Sequence, residues 1–435
     1  MISNKKGLRA LSPLFLLLAL IVAIIVMSLQ GVAIDGKSVP VMPLTVAFFV
    51  ASIYAVAISG DMPLKKRIDT YSRGAGASDL LLMLWIYVLA GAFASSAKAI
   101  GSIDATVNLT LSVLPSNLIL PGLFLAACFV SISIGTSVGT VVALVPIAAG
   151  IASQTGANTA LITAIVVGGA YFGDNLSFIS DTTVVATQTQ HCKMSDKFRV
   201  NVMIVAPAAL LILAIYAFLG ANVHSPAQTG DVRIIKVLPY LIVLVTAIIG
   251  MNVMVVLSLG IILCGIIGLI AGDFGFYGLL IDMNTGIIGM GEMVIIAMMA
   301  GGMLGMIKRN GGIDYIIERL TTHVHTRRGA EMAIAMLVSL VNICTANNTV
   351  AILTVGGISQ KIGDKFGVDN RKAASILDTF SCCIQGILPY SVQILLAAGL
   401  SNVNPIDIIP YLYYPFAIGI ASVAAIIFRY PRRYS

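Results

Sequence analysis

The feature that most constrains this chain is the recurrence of long apolar runs without charge. From Leu11 to Leu29 no residue is charged, and a helix of that length reaches about 28 Å, close to the ~30 Å hydrocarbon core of a bilayer. Similar runs predict spanning helices near 11–29, 40–59, 79–98, 157–190, 198–220, 233–250, 251–271, 289–307, 372–400 and 408–428. Across 435 residues, 58% are hydrophobic and only 10% charged, against about a quarter charged in an ordinary soluble domain. A soluble fold is excluded, and the lipid bilayer is the first partner the chain requires. The opening run ends in no small-residue cleavage pattern and is followed by many like it, so it reads as a retained helix rather than a signal peptide.

The formal charge of +7 suggests nucleic acid only until the charges are placed. With the N-terminus inside, the segments on that side hold Lys5, Lys6, Arg9, Lys65, Lys66, Arg67, Arg73, Lys193, Lys197, Arg199, Lys308, Arg309, Arg319, Arg327, Arg328, Lys361, Lys365, Arg371, Lys372, Arg429, Arg432 and Arg433, which is 22 of 26 basic residues. Only Lys37, Lys98, Arg233 and Lys236 fall elsewhere. That bias is the positive-inside rule, which predicts both termini in the cytoplasm and calls for no nucleic acid. The six cysteines show no Cys-x-x-Cys spacing and read as packing residues, with no disulfide framework or metal site. His191, His224, His323 and His325 sit in polar segments and read as surface loop.

Two stretches do not fit single spans. Asn117 to Ala152 has a polar centre (Ser131, Ser133, Gly135, Thr136, Ser137, Gly139, Thr140), and Ala330 to Lys361 is divided by Asn342, Thr345, Asn347, Asn348 and Thr349. Both are expected to be helical hairpins that enter the membrane and return. They belong to an internal repeat. Ala90, Gly91, Lys98, Gly101, Ile103 and Asp104 match Ala300, Gly301, Lys308, Gly311, Ile313 and Asp314 without gaps; further on, Thr136, Thr140 and Val141 match Thr345, Thr349 and Val350, and Asp174 and Ser177 match Asp378 and Ser381 after a small shift. The expected fold is therefore an all-α polytopic membrane protein of two inverted repeats, each with five transmembrane crossings plus a re-entrant helical hairpin and a broken helix after it. Residues 1–222 form the first repeat, with hairpin 117–152 and broken helix 157–190; residues 223–435 form the second, with hairpin 330–361 and broken helix 372–400. An odd number of crossings per half inverts the second, and the hairpin tips should meet near the midplane.

The chemistry follows each hairpin. Gly168, Gly169 and Gly173 weaken a helix at membrane depth, and Asp174, Asn175, Ser177, Ser180, Asp181, Thr182 and Thr183 come directly after. The second half supplies Asp378, Thr379, Ser381, Gln385, Gly386 and Pro389. An ionised carboxylate at the bilayer centre costs at least about 2.5–3.5 kcal/mol, so it is a functional candidate by default. Sodium is a hard cation that takes several oxygens, which Asp174, Asn175, Ser177, Asp181, Thr182, Asp378, Thr379 and Ser381 can offer together with the tips Thr136, Ser137, Thr140, Thr345, Asn347, Asn348 and Thr349. Asp174 is the expected sodium ligand. Desolvation favours the neutral form of a carboxylate, so proton and sodium compete for it, and competition at one carboxylate gives antiport. No cofactor is implied; Na+ and H+ are the transported species.

Duller readings stand beside these. Asp174 and Asp181 could brace a helix break, tip hydroxyls could serve only as backbone partners, and Lys98, Lys308, Asp104 and Asp314 suit helix-end anchors and caps. A carrier of a small carboxylate or amino acid, coupled to sodium or protons, is the alternative function, with Thr136, Ser137, Asn347, Asn348 and Thr349 holding the carboxylate at helix N-termini. No intramembrane Arg offers a carboxylate clamp. A channel would want an open polar pore, and no nucleophile, base or metal constellation suggests an enzyme.

The run Gly135 to Thr140, followed by Gly169-Ala170-Tyr171-Phe172-Gly173-Asp174-Asn175-Leu176-Ser177-Phe178-Ile179-Ser180-Asp181-Thr182, resembles the hallmark of NhaC-type sodium/proton antiporters. Thr345 to Thr349 and Asp378 to Ser381 are similar to that family's second-half elements, so the resemblance covers most of the chain. It implies a bacterial plasma (inner) membrane location, membership of the wider ion-transporter superfamily with paired hairpins, separate scaffold and transport domains moving in an elevator-like manner, and a homodimer.

Overall fold

The structure, a computed structural model, describes residues 4–30, 33–34, 37–38, 42–59, 62–221, 223, 233–322 and 324–434. Residues 40 and 41 of the second predicted span, residue 222 at the expected join, His224 and His323 lie outside them. The first half runs α1 (Asn4–Gln30), α2 (Leu44–Ile58), α3 (Leu64–Ala75), α4 (Ser78–Ala99), α5 (Ser102–Val113), α6 (Ile119–Ile134), α7 (Ser137–Thr155), α8 (Thr159–Leu176), α9 (Asp181–Thr189) and α10 (Met194–Gly220). The second runs α11 (Ile234–Ile248), α12 (Val253–Ala271), α13 (Phe276–Gly289), α14 (Gly291–Arg309), α15 (Gly312–Thr321), α16 (Arg327–Thr345), α17 (Asn348–Phe366), α18 (Asn370–Ile387), α19 (Val392–Ser401), α20 (Pro405–Ile408) and α21 (Tyr413–Ile427). Beyond helix, the described residues hold one two-stranded antiparallel pairing of Ala33–Ile34 with Lys37–Ser38. By length and composition ten helical segments can cross a membrane, or eleven with the bent pair Pro405–Tyr411 and Tyr413–Ile427. Phe129, Leu210, Phe218, Ile270 and Ile420 are exposed on this bundle, which suits a surface solvated by lipid.

The helices sort into two packed groups. An inner group joins α6 to α8, α7 to α8 and α19, α16 to α17 and α18, and α10 and α18 to α21. An outer group joins α3 and α2 to α14, α4 to α12 and α13, and α11 to α12. The short helices α5 and α15 touch both: α5 packs on α11 and α7, α15 on α14 and α16. Small residues allow the tightest crossing in the outer group, where a Cβ on Gly91 would collide with the Gly286 carbonyl and one on Gly286 with that of Gly91.

Each segment expected to be a hairpin is a pair of helices with a two-residue joint. α6 ends at Gly135 in the left-handed region (φ 74°) and Thr136 is extended before α7; α16 ends at Ala346 in the same region (φ 48°) and Asn347 is extended before α17. The arms contain 16, 19, 19 and 19 residues, longer than the polar centres alone suggest, because Ser131, Ser133 and Asn342 remain helical. Element ends recur in parallel. Gly135 and Ala346, the caps Asn158 and Asp369, and Ser180 and Ser391 before α9 and α19 all stand 211 residues apart.

The structure corrects three sequence readings. In this register Asp174 corresponds to Gln385 and Asp378 to Val167, so the two aspartates are not counterparts; composition-driven matching had shifted the pairing by seven residues. α3, α5, α13 and α15 are helices beyond the predicted spans, missed because they are short or, in α3, dense in Lys65, Lys66, Arg67, Asp69 and Arg73. Finally, Lys197 and Lys372, counted with the loop charges, are each 1% exposed inside α10 and α18.

The two tips make a paired test of backbone strain. Alanine in the left-handed region costs about 1–2 kcal/mol, and at position 135 its Cβ would also collide with Ile179. Gly135→Ala is expected to lower stability by about 2 kcal/mol or more, whereas Ala346→Gly should be neutral or stabilising by up to about 1 kcal/mol. Thermal melts in detergent micelles read both; equal losses would show that tip conformation is not what decides.

Candidate cation site

Helix breaks position this site. α8 stops at Leu176, Ser177 and Ser180 are extended (ψ 139° and 137°), and α9 begins at Asp181. Residues that bond to local backbone favour such breaks, and here they do: the Ser177 hydroxyl accepts from Ile179 N at 3.3 Å and Asn175 Nδ2 donates to the Tyr171 carbonyl at 3.0 Å, while the Ser177 hydroxyl also donates across to the Ile132 carbonyl of α6 at 2.9 Å. α18 stops at Ile387, and Leu388 is extended because Pro389 follows it. Ser391 then caps α19 by accepting from Ile394 N at 3.3 Å.

A break at membrane depth frees carbonyls that water cannot satisfy. The Asp174 carbonyl accepts from the hydroxyls of Thr182 (3.2 Å) and Thr183 (3.3 Å), and the Ser180 and Thr182 hydroxyls share a bond at 2.9 Å. The Asn175 carbonyl accepts from Lys197 Nζ at 2.7 Å and Asn201 Nδ2 at 2.9 Å. Lys197 Nζ also donates to Thr183 Oγ1 at 2.7 Å and forms an ion pair with Asp378 Oδ2. Asn201 Nδ2 reaches the same Asp378 oxygen at 3.1 Å. The α8–α9 break, α10 and α18 are thereby tied together.

Asp174 is differently placed. Its Oδ1 accepts from the backbone N–H of Ser137 at the first tip, at 3.0 Å, where N–H groups of a helix start favour negative charge. Among the described residues no Lys or Arg stands within ion-pair distance of it. The Ser137 hydroxyl accepts from Gln393 Nε2 at 3.0 Å; Gln393 Oε1 accepts from Gln385 Nε2 at 3.2 Å, which also donates to the Ala346 carbonyl at 2.7 Å. One side-chain chain thus links the two tips. The clamps at the hairpin stems match across the halves: the Ser131 hydroxyl donates to the Ala170 carbonyl at 2.5 Å, and Asn342 Nδ2, 211 residues on, to the Ser381 carbonyl at 2.7 Å.

The remaining predicted residues take varied places. Thr379 and Ser381 donate to carbonyls of their own helix, those of Ser375 and Asp378, and Thr140 donates to the carbonyl of Thr136 just before α7. Thr345 donates to the Asn347 carbonyl, Asn347 caps α17 through Val350 N, and Asn348 Oδ1 accepts from Thr349 N. Thr136 lies partly buried at the first tip. Asp181 is exposed on the first turn of α9, outside the buried cluster, because only the next residues, Thr182 and Thr183, turn back to the break. Lys197, Asn201 and Gln393 enter the site unforeseen. A signal was present: Lys197 and Asn201 are one helical turn apart and continue in register with the buried Ile204 and Ala208.

Several buried acceptor oxygens here have no donor: Asn175 Oδ1, Asn201 Oδ1, Asn342 Oδ1 and Gln385 Oε1. An unsatisfied buried acceptor costs about 1–3 kcal/mol, and a set of amide, carboxylate and hydroxyl oxygens is what a hard monovalent cation requires. A cavity of about 270 Å³ between the outer helices and the second tip reaches Thr345, Ala346 and Asn347, with Lys308 and Tyr87 in its wall. A second, of about 380 Å³, runs beside Lys98 and Pro146 along the first hairpin but stops short of its tip.

The family model described as the Na+/H+ antiporter family matches residues 8–221 and again 221–431. The malate-2H+/Na+-lactate antiporter of Bacillus subtilis (strain 168) is 21% identical over 415 residues, 88% of this chain and 89% of its own. The Na+/H+ antiporter NhaC of the same organism is 25% identical over 383 residues, 80% of this chain and 83% of its own. Among solved structures, the Alcanivorax borkumensis YdaH transporter covers 97% of this chain and 99% of its own at 12% identity and a TM-score of 0.43. With both halves matched from Leu8 to Pro431, this chain belongs to the Na+/H+ antiporter family.

Proposed function

We propose that the protein exchanges Na+ for H+ at the Asp174 carboxylate, by alternating access in which the inner helices carry the site past the outer ones. The observation that carries this reading is the isolation of Asp174: it is 4% exposed, held by one backbone N–H at the first tip, and without a cationic partner among the described residues. A buried carboxylate so placed needs a cation, and either sodium or a proton serves. Asn175, Ser177, Ser180, Thr182 and Ser137 supply oxygens close by. Sodium arriving displaces the proton, and a proton arriving displaces sodium; carrying either one neutralises the site for passage.

Two features favour a moving inner group. Direct packing between the groups is thin beside the packing within them and is shared with the short helices α5 and α15, and the cavity that reaches the second tip is not matched by the one along the first hairpin, which stops short. By the charge bias the end of that cavity beside Gly74 and Lys308 lies toward the cytoplasm, which supports reading this conformation as inward-open. Transport of a small carboxylate is the second reading. It is favoured by the wall of the cavity at the second tip, where Lys308 is the cation lining an otherwise largely apolar space, and the name of the Bacillus malate-2H+/Na+-lactate relative is compatible with it.

Proteoliposomes holding a pH dye, with an imposed sodium gradient, test the main reading. Wild-type protein should move protons against sodium, and Asp174→Asn, eluting as a monodisperse peak, should fall to the level of empty liposomes. Exchange at the wild-type rate in that variant would sink the assignment; proton movement that needs added malate or lactate would install the second reading.

The same charge bias supports cytoplasmic termini, and membership of the antiporter family supports a bacterial inner membrane. Green fluorescent protein fused after residue 435 should fluoresce and alkaline phosphatase fused there should stay inactive. The reverse pattern would invert the orientation and with it the side to which the cavity opens.

A further inference from the structure

Exchange at Asp174 gives Lys197 and Asp378 no part in moving the ion beyond holding the α8 break. Their burial is nonetheless expensive. Lys197 is 1% exposed and Asp378 fully buried, while Lys193, just before α10, and Arg199, two residues after Lys197, are exposed. Taking an ion pair out of water often gains nothing over an apolar pair of the same volume, so stability alone is a weak reason for it. All three ammonium donors are committed, to Asp378 Oδ2, the Asn175 carbonyl and Thr183 Oγ1. Asn201 reinforces the arrangement by donating to Asp378 Oδ2 and the Asn175 carbonyl. The ammonium is therefore anchored to the residue next to Asp174 without pairing with Asp174 itself.

We infer that Lys197 is a tethered cation that permanently neutralises Asp378 and so limits the mobile charge of the site to one cation, carried at Asp174. The inference rests on the antiport reading and deepens it. At the site, the two buried carboxylates Asp174 and Asp378 and the one ammonium of Lys197 leave a net charge of −1, which one Na+ or one H+ cancels. Without the tether, two charges would need cancelling before the inner group could cross. Lys197 acts through Asp378 and the break, not by touching sodium, and is a positioning residue whose charge sets the stoichiometry.

The tether predicts a counterintuitive result. Asp378→Asn removes a carboxylate away from the Ser137 tip contact yet frees the Lys197 ammonium beside Asp174, where it competes with sodium. The apparent KM for sodium in proteoliposomes should rise about tenfold or more. Adding Lys197→Gln removes the competing charge, restores the net −1, and should return KM to within about threefold of wild type. Lys197→Arg, which keeps the charge, should keep one-for-one exchange. A merely structural bond predicts the opposite: the double variant would be no better than Asp378→Asn. If Asp378→Asn does not fold, the double variant, which strands no charge, still decides: exchange at near wild-type KM supports the tether, and a folded but inactive double variant overturns it. An unchanged sodium KM in Asp378→Asn also overturns it. Wild-type protein that moves no protons against sodium would defeat the antiport reading instead, and the two failures are told apart by that control.

Discussion

The structure depends on one constraint: where α8 stops inside an apolar bundle, the carbonyls it frees must find donors from the protein. Two belong to Asp174 and Asn175, and they are met by Thr182 and Thr183 from across the break and by Lys197 and Asn201 from α10. Meeting that demand draws a lysine into the interior. The lysine in turn requires a carboxylate, which α18 provides in Asp378. The break, the buried pair and the contact between the halves are one problem solved together.

A second consequence concerns the tips. Each helix start after a hairpin joint offers unpaired N–H groups, but the two starts are answered differently. At the first, Ser137 N meets the Asp174 carboxylate; at the second, Asn347 caps its own helix and Gln385 binds the Ala346 carbonyl. The halves share a backbone plan, with Ser131 and Asn342 each clamping a carbonyl of the facing helix, and differ in charge where it matters. A carboxylate meets one tip and an amide the other, with Gln385 and Gln393 carrying the contact between tips.

Much of this was legible in residues. The glycines and polar cluster from Gly168 to Thr183 announced a broken helix with a carboxylate in it, and Ser131 to Thr140 and Asn342 to Thr349 announced the joints, because helix-weakening and polar residues at membrane depth have few other uses. Lys197 was hidden for the converse reason. It stands beside Lys193 and Arg199 in a loop-edge run that topology explains completely, and nothing in a charge count separates a lysine facing the cytoplasm from one facing inward at the first turn of α10.

The sequence by itself determined the class, the apolar segments, the two helix joints and the broken helix that carries Asp174, since bilayer thickness and helix rise turn composition and spacing directly into spans. Tertiary structure alone decided the pairings. The correspondence of Asp174 with Gln385 rather than Asp378, the capture of Asp378 by Lys197, and the exposure of Asp181 all depend on which helix faces which. Those are contacts between residues far apart in the chain, Lys197 and Asp378 among them, and local pattern carries no record of them.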